Sequence, residues 1–250
     1  MRVFSVFGIT KSGKTTTIER IITELRKRNY SVGSVKEIHF ERFAIDTEGS
    51  NTHRHKIAGS QLVTARGINE TDVLFQEKLP IEDIMRFYDY DFLVLEGVRD
   101  ANVPKIITAH SIEELDERYD PSAFLVSGRI ADEIDEYKGL KAISALENIS
   151  EIVDIIEEKV QERLPNFSKK CCGECGYSCE EFLHEMLAGN CQRSDCKLGK
   201  HHVSLKIDGK DIAMVPFVEK ILENAIRGVV SELDGYRENG LIELKLGLGE

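Results

Sequence analysis

The sequence lacks any apolar run that approaches the roughly 20 residues needed to cross a bilayer, which argues against a membrane-spanning protein. The apolar stretch 3–7 is too short for a signal peptide and runs straight into a glycine-rich loop. Basic residues are outnumbered by acidic ones, 33 to 44, and the net charge of -11 disfavours binding to nucleic acid. We therefore expect a cytoplasmic protein with neither a membrane nor a nucleic-acid partner.

Cysteine is absent from the first 170 residues, and all six cysteines lie between Cys171 and Cys196. In a cytoplasmic chain, such a cluster indicates a metal site rather than a disulfide framework. The clustering also suggests three parts. These are a nucleotide-binding domain over 1–164, a linker with a cysteine-rich module over 165–200, and a small α+β tail over 201–250.

The first part alternates apolar runs with helical periodicity. Strands are predicted over 2–7, 30–36, 92–95, 106–109 and 123–126, and helices over 15–28, 81–88 and 149–160. This alternation predicts an α/β fold with a mostly parallel sheet flanked by helices on both faces. The polar segment 37–51 has no period, and we interpret it as a loop at the carboxyl edge of the sheet, where ligand sites form.

The tail shows a weaker pattern. The segments 203–207 and 211–215 flank Asp208-Gly209-Lys210, which is a favourable hairpin turn. Pro216 suits the first turn of a helix over 216–233, and alternation over 241–246 predicts a final strand.

Between the first predicted strand and helix lies the spacing G-x4-G-K-[ST] of a phosphate-binding P-loop. Glycines let the loop curl its amides around phosphates, and the following helix directs its positive dipole end at the same anion. Lys14 would contact the β- and γ-phosphates as the catalytic cation, and the Thr15 hydroxyl would bind Mg²⁺. The predicted nucleotide-binding residues of this segment are Gly8, Thr10, Lys11, Ser12, Gly13, Lys14, Thr15 and Thr16.

A P-loop works with an acidic residue at the end of another strand, which holds Mg²⁺ directly or through water. Glu96 follows the apolar run 92–95 and precedes a glycine, so we predict it as a catalytic and magnesium-binding carboxylate. Asp46, in the polar loop, is a second magnesium candidate.

Several segments of the first part occur in a fixed order. They are Phe7-Gly8 through Thr17, Lys36-Glu37-Ile38-His39 with Asp46, Thr52 with Ala58-Gly59, Leu95-Glu96-Gly97-Val98-Arg99, and Pro104-Lys105-Ile106. This ordered set resembles the MobB family of molybdopterin-guanine dinucleotide biosynthesis adapter proteins.

The resemblance covers about residues 1–160. It implies a homodimer that binds GTP, hydrolyses it weakly at most, and assists the molybdopterin guanylyltransferase, with a molybdoenzyme or its cofactor as a further partner. It also implies that Lys36, His39 and Asp46 line the nucleotide site and that Arg99 lies near it. Glu37 and Phe40 replace histidines of the family's pattern. The chain has no Asn-Lys-x-Asp element of the kind that reads guanine, so guanine is implied by the resemblance alone.

The cysteine spacing lets three close thiolates and one distant thiolate converge on one centre, which suits zinc or an iron–sulfur cluster. The segment also resembles a four-cysteine [4Fe-4S] module of corrinoid and CO-dehydrogenase-associated proteins. That resemblance implies Cys172, Cys175, Cys179 and Cys196 as ligands, with Zn²⁺ as the alternative metal and Cys171 and Cys191 as spare thiols.

Two other functions compete with a GTP-binding accessory factor for molybdenum or tungsten cofactor biosynthesis. A nucleotide-switched iron–sulfur redox adapter would use the cysteine-rich module as its working part. A P-loop small-molecule kinase would need a mobile, arginine-rich lid. The segment 127–136 offers only Arg129 for such a lid.

Overall fold

A computed structural model describes residues 1–40, 43–166, 172–196, 203–207, 210–212, 214–237 and 242–244. Within these ranges no helix is both long and apolar enough to cross a membrane. The strands are β1 Arg2–Gly8, β2 Val32–Lys36, β3 Leu62–Arg66, β4 Thr71–Phe75, β5 Phe92–Glu96, β6 Lys105–Thr108, β7 Ala123–Ser127, β8 Glu136–Tyr137, β9 Leu140–Lys141, β10 Leu205–Ile207 and β11 Lys210–Ile212. The helices are α1 Lys14–Lys27, α2 Asn51–Ile57, α3 Ile81–Met85, α4 Ile112–Arg118, α5 Ile149–Lys159, α6 Cys179–Leu187 and α7 Pro216–Val230.

Five strands form the central sheet in the order β2-β5-β1-β6-β7, and every neighbouring pair is parallel. The predicted α/β fold with a parallel sheet is confirmed. Because β1 lies in the middle, the loop that follows it has a strand end on each side. This position gives the glycine-rich loop neighbours from both halves of the sheet.

Alternating side chains of the sheet enter cores on opposite faces, as the period of two in a strand requires. Phe4 and Val6 of β1 pack with the buried sides of α1 and α5. Val3 packs instead with the cluster that contains Met85 of α3, and Phe7 with the cluster that contains Leu115 of α4. Helices therefore cover both faces, which explains why the central strands are apolar at nearly every position.

Several elements of the first 164 residues were not predicted or differ in length, and α4, β8 and β9 are among those that were not predicted. The helix α2 and the two-stranded antiparallel ribbon β3–β4 lie within 51–75, where no element was predicted. The helix predicted over 81–88 ends at Met85, because the next three amides bond to carbonyls three residues back rather than four. The tyrosine that follows, Tyr88, donates its hydroxyl hydrogen to the Ser34 carbonyl at 3.0 Å and so joins β2.

The cysteine-rich segment packs on the P-loop domain through α6. Ser178 and Glu181 form a capping box that starts this helix. Its Phe182, Leu183 and Met186 are buried in a cluster with Leu164. The Nε2 atom of His184 lies 3.2 Å from the hydroxyl of Ser122, and the Arg193 amide donates to the side chain of Gln161 at 2.8 Å.

A buried ion pair stands beside this contact. The ammonium of Lys105, whose residue is 5% exposed, lies 2.7 Å from Asp120. Burial alone would raise the pKa of Asp120, but the hydrogen bonds from Lys105 and from the Ser122 amide leave that pKa below its usual value. The P-loop domain and α6 thus meet at a fixed polar network next to an apolar cluster.

In the tail, β10 and β11 pair antiparallel, as predicted, while the turn residues 208–209 lie outside the described ranges. Helix α7 begins at Pro216 as predicted and ends at Val230, three residues before the predicted end. It has no buried residue, and Phe217, Ile221 and Val229 expose more than half of their surface. Half of the predicted strand 241–246 lies outside the described ranges, and the described half, 242–244, is not in a strand.

Candidate nucleotide-binding site

The candidate site lies at the carboxyl edge of the sheet, where strand register brings polar residues together. Lys36 at the end of β2 is the register partner of Glu96, which ends β5 and pairs with Val6 of β1. On the other side of β1, Gly8 pairs with Thr108 of β6, and Thr108 pairs with Ser127. The edge therefore carries side chains from five strands around the loop after β1.

Left-handed backbone at two positions shapes that loop. Lys11 has φ 64° and Gly13 has φ 102°, a conformation that favours glycine at the latter position. Gly8 is required for a different reason, because a Cβ there would lie 2.0 Å from the carbonyl oxygen of Thr108. The loop can therefore approach β6 only with glycine at its first position.

The Lys14 side chain folds back over the loop, and its ammonium donates to the carbonyls of Gly8 at 3.0 Å and Ile9 at 2.5 Å. Burial lowers the pKa of Lys14, the Glu96 carboxylate opposes that change, and Lys36 and Arg118 add to it. A cation held in this way inside the curve of the loop is placed to meet an anion there.

Most of the predicted nucleotide-binding residues line one open cavity of about 1010 Å³. Ser12 is the exception: it is fully buried behind the loop, with its hydroxyl 2.8 Å from the Ile9 carbonyl and 2.7 Å from the Thr108 hydroxyl. Ser12 thus anchors the loop to β6. The predicted residues that line the cavity are Gly8, Thr10, Lys11, Gly13, Lys14, Thr15, Thr16, Lys36 and Arg99.

Glu96 contacts Thr15, another predicted magnesium-binding residue, and the predicted nucleotide-binding residue Lys36. Its Oε1 atom accepts hydrogen bonds from the Thr15 hydroxyl at 3.1 Å and the Lys36 ammonium at 2.5 Å. A carboxylate and a hydroxyl are hard oxygen donors of the kind that Mg²⁺ takes together with phosphate oxygens. The donor set therefore fits a magnesium ion bound with a nucleotide.

Asp46 is not brought to this cluster. Its Oδ1 atom accepts hydrogen bonds from Ser50 and Thr52, each at 2.8 Å, at the start of α2. These bonds lower the pKa of Asp46. Its other oxygen is buried and has no hydrogen-bond partner in the described part of the chain. Asp46 is absent from the cavity lining, and its role in binding magnesium stays a prediction.

His39 and Arg99 do line the cavity, on the β2–β5 side. The guanidinium carbon of Arg99 lies 5.5 Å from the centre of the Phe7 ring, within the range of a cation–π contact. This contact places Arg99 next to the first residues of the loop.

The sequence analysis did not place the residues on the opposite side of the cavity at the nucleotide site. They are Arg118, the last residue of α4; Gly128, Arg129 and Asp132 after β7; and the segment 144–146. The local signal for the second group is the Ser127-Gly128 pair that directly follows an apolar strand. That signal resembles the edge position of Glu96-Gly97, but the strand order needed to place it was unknown.

Five cysteines fall in the described ranges, and no disulfide joins any two of them. Cys196 is buried with Phe182 and Leu183, and Cys172, Cys175, Cys179 and Cys191 pack around the same cluster. Thiols are the donors that zinc and iron–sulfur clusters use. However, within those ranges no group of three or more His, Cys, Asp or Glu is placed to hold a metal ion. The donor chemistry fits such a metal, and the arrangement of the described residues does not assemble its ligands.

The fold and the cavity together define the first domain as a P-loop nucleotide-binding domain of the α/β class. Residues 3–123 match the family model described as MobB, Molybdopterin guanine dinucleotide synthesis protein B. The crystal structure of Bacillus subtilis MobB superimposes with a TM-score of 0.55 at 23% identity, covering 65% of this chain and 100% of that one, which supports the fold.

Curated relatives point the same way. A putative molybdopterin-guanine dinucleotide biosynthesis adapter protein of Methanocaldococcus jannaschii is 29% identical over 257 residues, which cover 100% of this chain and 99% of that protein. A probable adapter protein of the same description from Bacillus subtilis is 26% identical, covering 57% of this chain and 85% of its own. The predicted resemblance to the MobB family is confirmed. The Methanocaldococcus protein is also similar through the cysteine-rich segment and the tail.

Proposed function

We propose that this protein binds GTP with Mg²⁺ and acts as an accessory protein in the biosynthesis of molybdopterin guanine dinucleotide. One observation carries the proposal. Four side chains line a single cavity of a MobB-type domain, and Glu96 accepts hydrogen bonds from two of the others; the four are Lys14, Thr15, Lys36 and Glu96. Guanine comes from the similarity to the MobB family, and the phosphate chemistry comes from the site.

In this proposal the loop amides and Lys14 hold the phosphates, and Lys36 and Arg99 add positive charge on the β2–β5 side. A magnesium ion held by Thr15 and Glu96 would neutralise part of the phosphate charge. On the β2–β5 side of the cavity, the described lining residues include one carboxylate besides Glu96. It belongs to Glu37, and its Oε1 atom lies 2.6 Å from the Lys78 ammonium. Glu96 is thus also the candidate for a general base on this side of the cavity, which agrees with weak GTP hydrolysis at most.

The proposed partners are a molybdopterin guanylyltransferase, a molybdoenzyme or its cofactor, and a second copy of this chain. The ribbon β3–β4 supports the last of these. A two-stranded ribbon alone is marginally stable, and this one exposes Leu62, Val73 and Phe75 by 39–51% of their surface. A second copy would cover these side chains, and the homodimer follows the MobB resemblance.

The test combines titration calorimetry with light scattering on the full chain. We expect saturable binding of Mg-GTP, at least tenfold weaker binding when Mg²⁺ is chelated, and weaker binding of Mg-ATP. Light scattering should give the mass of a dimer and a larger complex when a molybdopterin guanylyltransferase and Mg-GTP are added. Equal affinity for ATP and GTP, or no complex with the transferase, would contradict the proposal.

We also propose that the cysteine-rich segment binds a [4Fe-4S] cluster through Cys172, Cys175, Cys179 and Cys196, with Zn²⁺ as the alternative. Support comes from the spacing and from the packing of the described cysteines around one small apolar cluster. When bound, the metal would join segments that are otherwise held by little apolar area.

Anaerobic purification tests this second proposal. The cluster predicts a broad visible absorbance from thiolate-to-iron charge transfer and about four irons per chain, both lost in Cys175→Ser. The matched control Cys191→Ser should keep both signals. One zinc per chain without visible absorbance would show that the segment binds Zn²⁺ instead of a cluster. Absence of both iron and zinc would contradict the proposal that the segment binds a metal.

A nucleotide-switched redox adapter is a second candidate function. The contact of His184 with Ser122 favours it, because that serine follows Asp120 in the network around Lys105, and Lys105 begins the strand that ends at Thr108 beside the P-loop. A cluster potential that shifts on addition of Mg-GTP would support this candidate. A potential indifferent to nucleotide would count against it.

A further inference from the structure

The cavity has two chemically different ends on either side of the P-loop. The β2–β5 side carries Glu96 with Thr15 and Lys36. The β6–β7 side carries Arg129, Asp132 and the segment 144–146. Since the P-loop follows the central strand β1, any ligand that reaches both ends must cross the loop.

This asymmetry fixes the direction of a bound nucleoside triphosphate. Thr15 and Glu96 would hold the magnesium ion that accompanies the terminal phosphates of such a nucleotide, which would put these phosphates at the same end of the cavity. The ribose and base must then extend the other way, past Gly13 and Gly128. The base therefore arrives at the β6–β7 side.

The β6–β7 end is held firmly against the loop. The Arg129 amide donates to the Ser12 carbonyl at 3.0 Å, and the Ile130 amide donates to the Ala109 carbonyl at 3.0 Å. These bonds set the start of the one-turn 3-10 helix Arg129–Asp132 directly beside the P-loop. Asp132 at its end is exposed and takes part in no ion pair within the described part of the chain.

The second wall is fixed in the same manner. The Ser127 hydroxyl donates to the Ile143 carbonyl at 2.8 Å, and the Ile143 amide donates to the Val126 carbonyl at 3.0 Å. The amides of Glu147 and Asn148 both donate to the Ser144 carbonyl, which makes 144–148 a closed turn. The cavity thus meets two pre-organised segments, one that carries the Asp132 carboxylate and one that is a closed turn.

Guanine and adenine differ at the edge that such groups read. Guanine presents two adjacent donors, the ring N1–H and the exocyclic 2-amino group, together with an acceptor oxygen at C6. A carboxylate accepts both donors at once, and a backbone amide can donate to the oxygen. Adenine presents an acceptor at N1 where guanine has a donor, so a carboxylate there would face an unpaired lone pair. A site built for hydrogen bonds of this kind rejects the mismatched base strongly.

We infer that Asp132 is the residue that selects guanine, accepting from N1–H and the 2-amino group while the 144–146 turn borders the C6 oxygen. Arg129 and Leu146 lie on the same part of the lining and can cover the faces of the base. The inference rests on the proposed binding of GTP, and it supplies the base-reading group that the missing Asn-Lys-x-Asp element would have provided.

The decisive experiment exchanges the base edge and the side chain together. Asp132→Asn in the full chain should lose roughly tenfold to a hundredfold in Mg-GTP affinity, with Mg-ATP affinity unchanged within about twofold. It should also gain at least about tenfold for xanthosine triphosphate, in which a carbonyl oxygen replaces the 2-amino group and can accept from the new amide. A gain of binding cannot result from a damaged fold. Glu133→Gln is the matched control. It makes the same change, carboxylate to amide, at the next residue, which does not line the cavity, and it should bind both nucleotides as the wild type does.

Two failures can be told apart. A wild-type protein that binds ATP as well as GTP would overturn the proposed GTP specificity and this assignment with it. A wild type that prefers GTP, with an Asp132→Asn variant that keeps the same preference and gains nothing for xanthosine triphosphate, would overturn the assignment alone.

Discussion

Lys14→Ala is expected to weaken the binding of Mg-GTP by about 100-fold, equivalent to roughly 3 kcal/mol. The ammonium of Lys14 sits inside the curve of the P-loop on the carbonyls of Gly8 and Ile9, where a phosphate would lie. Truncation removes a charge-assisted donor and leaves the loop's remaining amides to hold the phosphates alone. Titration calorimetry with Mg-GTP measures the loss directly.

Lys27→Ala is the control for this experiment, because Lys27 lies at the far end of the same helix and its side chain is 68% exposed. Its affinity for Mg-GTP should equal that of the wild type. Thermal unfolding of both variants should match within a few degrees, since neither side chain packs in a core. Retention of affinity within threefold in Lys14→Ala would mean that the cavity does not bind the triphosphate as a P-loop does.

Gly128→Ala is expected to lower the free energy of unfolding by about 4 kcal/mol. The backbone at Gly128 has φ 77° and ψ −154°, a region that essentially only glycine occupies. A Cβ there would also lie 2.2 Å from the Ser12 carbonyl oxygen and 2.9 Å from Cβ of Thr108. Both obstacles are buried atoms of the P-loop and of β6, so the segment after β7 would have to move away from the loop.

Gly139→Ala separates the two causes. Gly139 has nearly the same φ, 81°, but nothing lies within 4 Å of the Cβ position. It should therefore lose only about 1 kcal/mol, from backbone strain alone. Urea denaturation followed by circular dichroism gives both values. If the two variants were equally stable, the close approach of Gly128 to the P-loop would be wrong.

The parts of the site that could be predicted are those in which a short stretch of sequence carries its own geometry. The P-loop has its glycines, its lysine and its following helix within eight residues, and Glu96 follows an unbroken apolar run. Each of these could be placed at the carboxyl edge of a parallel strand without knowledge of the strand order. The parallel sheet followed from the same alternation of strands and helices.

The other half of the cavity depends on long-range order. Asp132 and the segment 144–146 reach the P-loop only because β6 lies beside β1 and β7 beside β6, and no local sequence pattern predicts that order. The elements within 51–75 had weaker sequence signals. These are Ser50, which caps α2, and Gly67, whose amide donates to the Glu70 carbonyl at the turn of the ribbon. Burial alternates along both strands, but the exposed face carries the apolar side chains Leu62, Val73 and Phe75, so the period of two is faint in the sequence.

The pair formed by Lys36 and Glu96 has a consequence for the order of events at the site. The Oε1 atom of Glu96 already has the Lys36 ammonium 2.5 Å away, so a divalent ion bound at that oxygen would compete with the ammonium. Binding of the metal with its nucleotide would then exchange counter-ions: the Lys36 ammonium would leave the Glu96 carboxylate and pair with a phosphate of the nucleotide. Departure of the last phosphate would reverse the exchange. The position of the Lys36 ammonium at the end of β2 would therefore depend on whether the cavity holds a nucleotide. Lys36 stands at the start of the polar loop that leads to α2.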